Sequence, residues 1–178
     1  MRFLFRLLVL AILVAAAALF WSVRTYSVLA REQKIAAVRC VERRANGTYL
    51  LEVTPARDGV SGTGKVYILR GDQWMIGGDL LKWKPWVLVL GARPLYKLTR
   101  LESRYLNADD EVQKPRSVIE LNGGSSRLWQ WLHQQGIRLP FVDAVYGNAA
   151  FVMAEPGREW GVYVSDSGFW IRPIGRKR

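Results

Sequence analysis

The sequence contains little of the chemistry that catalytic and metal sites require. Its 178 residues include one cysteine, Cys40, and one histidine, His133. A lone cysteine excludes an intramolecular disulfide, and these two residues alone cannot supply the four ligands of a structural zinc site. No serine lies in a G-x-S-x-G elbow, the motif that exposes the nucleophile of many hydrolases. We therefore predict no catalytic residue, no metal site and no cofactor.

Two local strings resemble ligand-binding motifs, but each lacks a required part. Residues 59–65 fit G-x-x-x-x-G-K, yet Val66 occupies the place of the Ser or Thr that would bind Mg²⁺, and strand-forming residues follow it. We interpret the string as a hairpin loop. Asp109, Asp110 and Glu111 are contiguous, whereas a calcium loop needs alternating donors and a glycine bend. We interpret them as a solvated acidic loop over residues 107–114.

A long apolar run occupies the N-terminus. Residues 7–23 contain one polar side chain, Ser22. At about 1.5 Å rise per residue, a helix over residues 3–23 spans roughly 31 Å, the thickness of a bilayer's hydrocarbon core. Residues 1–25 are therefore predicted to be a single transmembrane anchor. The apolar side chains expected to contact lipid are Leu7, Leu8, Leu10, Ile12, Leu13, Leu19, Phe20 and Trp21.

A cleaved signal peptide is the alternative interpretation of this run. Arg2 and Arg6 form a basic n-region, and the alanines at residues 15–18 offer cleavage sites. The apolar run continues through residues 19–21, beyond those sites, so a cleaved chain would begin with an exposed apolar end. This continuation favours an uncleaved anchor.

The basic residues flanking the run give conflicting indications of orientation. Arg24, Arg31, Lys34 and Arg39 follow the run, and by count they favour a cytoplasmic domain. The short basic head resembles an export signal and favours a domain outside the cytoplasm, and large domains cross membranes despite their charge. We expect a single-pass protein of the cell inner membrane with its soluble domain in the periplasm.

Residues 35–174 are predicted to form one basic, mostly β domain, after a linker at 26–34 and before a basic tail at 175–178. Asn46-Gly47 predicts a two-residue hairpin loop that places Cys40 opposite Val53. Val38, Cys40, Leu51 and Val53 would then share an inward face.

Further strands are expected beyond this first hairpin. A second hairpin is predicted from residues 65–70 and 73–81, strands at 96–105 and 116–121, and a C-terminal meander from residue 144. One short helix is predicted at 126–135, with Leu128, Trp131, Leu132 and Gln135 on its apolar face and His133 in its last turn. The fold class is α+β, mostly β: a small antiparallel barrel or sandwich after the transmembrane helix.

The most informative stretch combines tryptophan with basic residues. Lys82, Trp83, Lys84, Trp86 and Arg93 lie close together in a chain whose net charge is +11. Tryptophan and lysine are typical of membrane interfaces, where the ring is half-hydrated and the ammonium reaches phosphates. We predict that these five residues contact a membrane or a partner. The alternative is that the tryptophans fill the core of a small domain.

Several segments resemble a group of short proteobacterial inner-membrane proteins of unknown function, usually named multidrug or cation efflux pumps. The similar segments are residues 71–74, 81–86, 104–105 and 143–147, and the resemblance extends over about residues 1–173. The group's name implies transport. One membrane helix cannot build an alternating-access carrier, which needs repeated helices around a central site. The resemblance therefore implies at most an accessory subunit.

Together these features predict a non-enzymatic, single-pass membrane protein. Its β-rich domain is expected to bind an envelope protein partner or the anionic lipid surface, as an accessory to transport or envelope assembly. Nucleic acid is not expected as a partner, because the anchor brings lipid phosphates closer to the positive charge. No small-molecule ligand is indicated. The alternative is an enzyme acting on a lipid or cell-wall substrate, with Glu102, Asp143 and Asp166 as its available carboxylates.

Overall fold

The computed structural model describes residues 2–29, 32–57 and 60–175. Its first element, α1 (Arg2–Leu29), is one continuous helix, and the stretch Arg2–Tyr26 is long and apolar enough to cross a membrane. The eight side chains predicted to contact lipid are all exposed. Since α1 continues to Leu29, the predicted linker begins inside this helix. Residues 30 and 31 of that linker, and residues 176–178 of the predicted basic tail, lie outside the described residues.

Antiparallel strands form most of the chain after α1. They are β1 (Gln33–Arg43), β2 (Thr48–Arg57), β3 (Val60–Ser61), β4 (Lys65–Arg70), β5 (Gln73–Trp83), β6 (Leu95–Arg104), β7 (Val118–Glu120), β8 (Val142–Met153), β9 (Glu159–Ser165) and β10 (Gly168–Pro173). The first sheet has the order β10-β9-β1-β2-β3, with β4 also paired to β2. The second sheet has the order β7-β6-β5-β8. The strand predicted at residues 116–121 is present as β7, which is shorter than predicted.

The inner faces of the two sheets share one hydrophobic core. Its buried side chains from both sheets include Val38, Leu51, Trp74, Ile76 and Leu101. No ladder of hydrogen bonds joins the described strands of one sheet to those of the other. The fold is α+β and mostly β, as predicted. It consists of two antiparallel sheets, so of the two predicted alternatives, a barrel or a sandwich, the closed barrel is not supported.

Short helices interrupt the strands in three places. They are α2 (Pro85–Val89), α3 (Ala108–Gln113) and α4 (Arg127–Gln135), and a 3₁₀ turn at Gly136–Arg138 follows α4. α4 confirms the predicted short helix. The acidic loop predicted at residues 107–114 is wrong, because Asn107 caps α3 by accepting the N–H of Asp109 at 2.8 Å. The acidic residues lie in the first turn of α3, where the helix dipole favours negative charge.

The first predicted hairpin exists, with a different register. Its loop has three residues, and of these only Gly47 has a positive φ, +77°, while its N–H donates to the carbonyl of Arg44 at 3.1 Å. A bulge after Cys40 shifts the pairing further, so that Cys40 lies opposite Leu51 and not opposite Val53. The shift is an even number of residues, so the predicted inward face is preserved. Its four side chains are all buried.

The second predicted hairpin is wrong, because β4 and β5 belong to different sheets. β4 pairs with β2, whereas β5 pairs with β6 and β8. The chain crosses between sheets at Gly71, whose φ of +139° and close approach to the carbonyl of Arg104 exclude a side chain. The carboxylate of Asp72 stabilises this crossing. Its Oδ1 accepts a hydrogen bond from Nη2 of Arg43 at 2.7 Å, and its Oδ2 accepts one from the N–H of Leu106 at 3.1 Å. That N–H, followed by Arg43, lowers the pKa of the Asp72 carboxyl below its usual value.

The predicted C-terminal meander is only partly correct. β9 and β10 form a hairpin, but β8 pairs with β5 in the second sheet, and β9 pairs with β1 in the first. β8 is therefore an edge strand of the second sheet, and after it the chain returns to the first sheet. A turn near Gly157, with φ +76°, connects β8 to β9. Along the sequence, strands of the first sheet thus come both before and after those of the second. The core that the sheets share is therefore built from segments that are distant in sequence.

α4 packs on the outer face of the second sheet. Trp129 and Leu132 are buried there with Leu81 and Val142, in a second and smaller cluster. The predicted apolar face is therefore partly wrong, since Leu128 and Trp131 are 58% and 48% exposed. The indole of Trp129 buries more apolar surface than the side chain of Leu128, which favours the observed rotation of the helix.

Candidate functional site

One end of the two-sheet domain adjoins α1. We call it the α1 end and define it by residues 33–36, 81–97 and 142–146. β1 begins there at Gln33, shortly after α1, and β9 pairs alongside it. In the second sheet, the end of β5 pairs with the start of β6 and the start of β8. α2 follows β5 and contacts α1. All five predicted contact residues lie in this region.

α2 presents apolar side chains to its surroundings at the α1 end. It starts at Pro85, which lacks the N–H that a first helical residue would leave unpaired, and which also ends β5. Leu88 and Val89 are the buried residues of this helix. Trp86 and Leu90 are 51% and 76% exposed. Since these two residues are four apart, they lie on one side of the helical turn and form an exposed apolar face beside α1.

Trp83 differs from Trp86 in its environment. It is half-buried, its Nε1 donates to the carbonyl oxygen of Arg93 at 2.7 Å, and its ring lies 6.0 Å from that of Phe141. It also packs against the cluster beneath α4. Through this hydrogen bond Trp83 links the segment after α2 to β5, whereas the side chain of Trp86 is exposed. Trp74, which lies earlier in β5, is fully buried in the main core.

The basic residues at the α1 end differ in their partners. Lys82 forms an ion pair with Asp143, with 3.0 Å between Nζ and Oδ2. This hydrogen bond raises the pKa of Lys82 above its usual value, so the ammonium remains charged at neutral pH. The structure shows no ion pair for Lys84 among the described residues. Arg93 is exposed, and its backbone carbonyl holds Trp83.

A groove of about 960 Å³ opens between the two sheets at the α1 end. Segments from both sheets line it: the start of β1, the end of β2, β3, and residues 93–98 with the start of β6. Its apolar lining includes Ile35, Pro55, Ala56, Val60, Leu95 and Leu98. Arg93 and Lys97 also line it, and the described lining residues include no carboxylate. The described part of the lining is therefore mainly apolar, with two cationic side chains.

The carboxylates considered for the enzyme alternative lie apart from this groove. Glu102 is buried on β6, with its Oε1 3.2 Å from Nε of Arg100. Asp143 is paired to Lys82, and Asp166 lies in the turn between β9 and β10. Burial raises the pKa of the Asp166 carboxyl, and Lys82 opposes this shift. None of the three lines the groove.

His133 contacts Asp79 of β5, at 3.0 Å between Nε2 and Oδ1. The other oxygen of Asp79 accepts the hydroxyl of Ser125 at 3.2 Å. In a catalytic triad the serine hydroxyl would instead contact the histidine. The carboxylate of Asp79 therefore holds both ends of the α4 segment on the outer face of the second sheet. Spacing in sequence did not predict this contact, because the two partners are 54 residues apart.

Asp79→Ala is expected to lower the free energy of unfolding by about 2 kcal/mol, because it removes two hydrogen bonds and leaves both α4 partners unsatisfied. Urea unfolding of the full chain in detergent, followed by circular dichroism, measures the change. Glu42→Ala is the matched control. Its side chain is 58% exposed, so its removal should change stability by no more than about 0.5 kcal/mol. Equal effects of the two substitutions would show that Asp79 does not hold α4.

The remaining candidates from the sequence, Cys40 and the G-x-x-x-x-G-K string, lie on or beside strands of the first sheet. Cys40 is fully buried on the inward face of β1, and burial raises the pKa of its thiol. Lys65 begins β4, so no helix N-terminus follows the G-x-x-x-x-G-K string, whose Gly59 lies outside the described residues. The described residues contain no group of three or more His, Cys, Asp or Glu that could hold a metal ion.

The basic tryptophan stretch is visible in the sequence, whereas the groove and the exposed side chain of Leu90 are not. The groove is built from four chain segments between residues 33 and 122, so no local pattern marks it. A scan of protein-family models and searches of curated proteins and of solved structures found no match to this chain.

Proposed function

We propose that this chain is a non-catalytic, single-pass membrane protein whose β domain rests on the anionic lipid surface at its α1 end. The observation that carries the proposal is the position of α2, which contacts α1 and displays Trp86 and Leu90 beside it. If α1 crosses a bilayer, the domain begins next to the membrane surface, because β1 starts four residues after α1 ends, and α2 is the part of the domain that contacts α1.

The chemistry of α2 suits the boundary between lipid and water. The indole of Trp86 has an apolar body and a polar N–H, a combination that favours the headgroup region. Leu90 adds apolar surface that would otherwise face water. Lys84 precedes the helix and can reach lipid phosphates, a contact that contributes on the order of 1 kcal/mol for each basic residue near an anionic surface. The net charge of +11 also attracts the chain to an anionic lipid surface.

The proposed location is the cell inner membrane, with the domain in the periplasm. The basic, signal-like N-terminus supports this orientation. Alkaline phosphatase fused to the C-terminus is active only after export. Green fluorescent protein fused at the same place becomes fluorescent only in the cytoplasm. Activity of the first fusion without fluorescence of the second is expected, and the reverse result would place the domain in the cytoplasm. An accessory role in transport or envelope assembly stays a prediction from the family resemblance.

A spin label tests the contact between α2 and lipid. The full chain is reconstituted in vesicles of phosphatidylethanolamine and phosphatidylglycerol, with Trp86→Cys labelled in one sample and Val112→Cys in another. Val112 is also exposed, at 86%, but lies in α3 beyond the far end of β6, roughly 30 Å away at about 3.3 Å per strand residue. The unsubstituted chain, with Cys40 buried, serves as the labelling blank.

The label at residue 86 is expected to be accessible to oxygen and protected from a water-soluble nickel chelate, as at a membrane interface. The label at residue 112 should be exposed to the chelate. Equal exposure of both labels would contradict the proposal. Protection of residue 86 in native membranes but not in protein-free vesicles would also contradict it, and would indicate a protein partner in place of lipid.

A further inference from the structure

A second pocket lies at the end of the domain opposite to α1. β1 starts next to α1, and its 11 residues extend to Arg43 over roughly 35 Å at about 3.3 Å per residue. The pocket is beside the loop that follows β1, and we call it the distal pocket. Its volume of about 360 Å³ lies within the range of about 300–1,000 Å³ typical of ligand sites. It is lined by Asn46, Gly47, Arg70, Tyr105, Lys114 and Pro115.

Contacts between distant segments hold this lining in place. Asn46 and Gly47 lie in the loop between β1 and β2, and Arg70 is the last residue of β4. The N–H of Gly71 donates to the carbonyl oxygen of Gly47 at 3.1 Å, and the N–H of Arg70 donates to Oγ of Ser117 at 3.0 Å. Because these hydrogen bonds join separate segments of the chain, the distal pocket is formed without a ligand.

Asn46 presents a donor to the distal pocket. A backbone N–H can only donate, so the N–H of Thr48, at 3.1 Å, identifies its partner as Oδ1 of Asn46, and the Thr48 hydroxyl donates to the same oxygen at 2.6 Å. The amide oxygen of Asn46 is therefore occupied, and its Nδ2 remains to donate to a ligand. Arg70 and Lys114 also carry only donors. The six lining residues are all described, and they include no carboxylate.

The two cations differ in how far neighbouring carboxylates neutralise them. Nζ of Lys114 lies 2.8 Å from Oδ2 of Asp110 and 5.7 Å from the centre of the Tyr105 ring. Asp110 does not line the pocket, but it offsets much of the charge of Lys114. The guanidinium of Arg70 pairs with no carboxylate within residues 2–29, 32–57 and 60–175. The electrostatic preference of the distal pocket for an anion therefore comes chiefly from Arg70.

The arrangement of the donors favours a phosphate group. Arg70, Asn46 and Lys114 belong to three different segments and reach the pocket from separate parts of the fold. A phosphate offers oxygens in several directions, whereas a planar carboxylate is best matched by two parallel donors. A phosphate alone would fill only part of the volume of about 360 Å³. Tyr105 and Pro115 provide apolar surface for an organic group attached to it.

We propose that the distal pocket binds a small phosphomonoester, with its phosphate near Arg70, Asn46 and Lys114 and its organic group beside Tyr105. The inference goes beyond the proposed function and does not depend on it, because the pocket lies far from the place where α2 contacts α1. Lipid phosphates of a bilayer crossed by α1 would lie at the opposite end of the domain. The ligand is therefore a soluble phosphorylated compound and not a lipid headgroup.

Titration of the full chain in maltoside micelles tests the site. Amide signals of an isotope-labelled sample are followed by NMR as phenyl phosphate, inorganic phosphate or benzoate is added. Phenyl phosphate is expected to shift the signals of residues 46, 47 and 114, with a dissociation constant of about 1 mM or less. Inorganic phosphate, which lacks the ring, should bind at the same residues several-fold less tightly. Benzoate, which has the ring but a planar carboxylate, should bind about tenfold less tightly than phenyl phosphate.

Two variants test the donors, and a third is their control. Arg70→Gln should weaken phenyl phosphate binding about tenfold or more, because it removes the unpaired cation. Asn46→Asp retains the oxygen that accepts from Thr48 but replaces the Nδ2 donor with a carboxylate oxygen, so binding should be lost. Lys65→Gln removes the same charge from the other end of β4, beyond a Debye length, and should leave the affinity within about twofold. Unchanged amide signals elsewhere in the chain verify that each variant is folded.

Each outcome decides one part of the proposal. Equal losses of affinity in Arg70→Gln and Lys65→Gln would show that net charge alone attracts the anion, and would overturn the pocket as a site. Benzoate that binds as tightly as phenyl phosphate would overturn the assignment of a phosphate. An absence of shifts at residues 46, 47 and 114 in about 20 mM phenyl phosphate would overturn the site altogether. None of these results bears on the contact between α2 and lipid, which the label at residue 86 measures.

Discussion

Replacing Leu10 and Leu13 with aspartate is expected to release the chain from the membrane fraction. Both side chains are exposed along α1 and lie near the middle of the stretch Arg2–Tyr26. Aspartate at the centre of a transmembrane helix is disfavoured by roughly 2.5–3.5 kcal/mol, while leucine is favoured by about 0.5 kcal/mol. The two substitutions together cost about 6–8 kcal/mol, enough to reverse the partition of a single helix between bilayer and water.

Fractionation after an alkaline carbonate wash measures this release. Leu10→Ala with Leu13→Ala is the matched control, because it shortens the same side chains without adding charge and should leave the chain in the membrane. The intact mass of the unsubstituted protein tests the signal-peptide alternative in the same preparation. A mature chain beginning after the alanines at residues 15–18, or a control pair released as readily as the aspartate pair, would contradict the anchor.

Trp74→Ala is expected to lower the free energy of unfolding by about 3–5 kcal/mol, the usual cost of removing a large aromatic side chain from a core. Trp74 is fully buried on β5, between β6 and β8, and contributes to the core shared by both sheets. Small domains are stabilised by only about 5–15 kcal/mol in total. The loss is therefore a large fraction of the stability, and it should appear as a marked fall in the midpoint of urea unfolding of the full chain in detergent.

Two further variants make this measurement decisive. Trp131→Ala removes the same side chain from the exposed face of α4, where it is 48% exposed, and should cost less than about 1 kcal/mol. Trp74→Phe retains most of the ring and loses no hydrogen bond, because Nε1 of Trp74 has no partner among the described residues. It should fold with a smaller loss even if Trp74→Ala does not. Similar costs for residues 74 and 131 would show that the shared core does not depend on Trp74.

The first hairpin shows how much of the sheet could be predicted locally. Alternation of apolar and polar residues identified the inward side chains Val38, Cys40, Leu51 and Val53, and all four are buried. The register was wrong, because a three-residue loop and a bulge replaced the simpler two-residue turn. Period-two alternation specifies the face of a strand but does not distinguish registers that differ by two residues.

Gly71 and α4 show where local reasoning failed. Gly71-Asp72 has the composition of a hairpin turn, yet Asp72 is held by Arg43 and Leu106 from two other segments, and the chain changes sheets. In α4, the apolar residues permit more than one buried face. Trp129 packs in one cluster with Leu81 and Val142, so the face that is buried depends on residues outside the helix.

Local patterns in the sequence are enough to predict the long apolar helix at the N-terminus, the position of α4 and the inward faces of the first two strands. These features depend on residues a few positions apart, whose propensities and spacing act through the local backbone. The three-dimensional fold is needed to show which strands share a sheet, that Trp86 is exposed while Trp83 is half-buried, and that a groove opens beside α1. Each of these depends on contacts between distant segments, because the burial of a side chain is set by the surfaces that come to cover it.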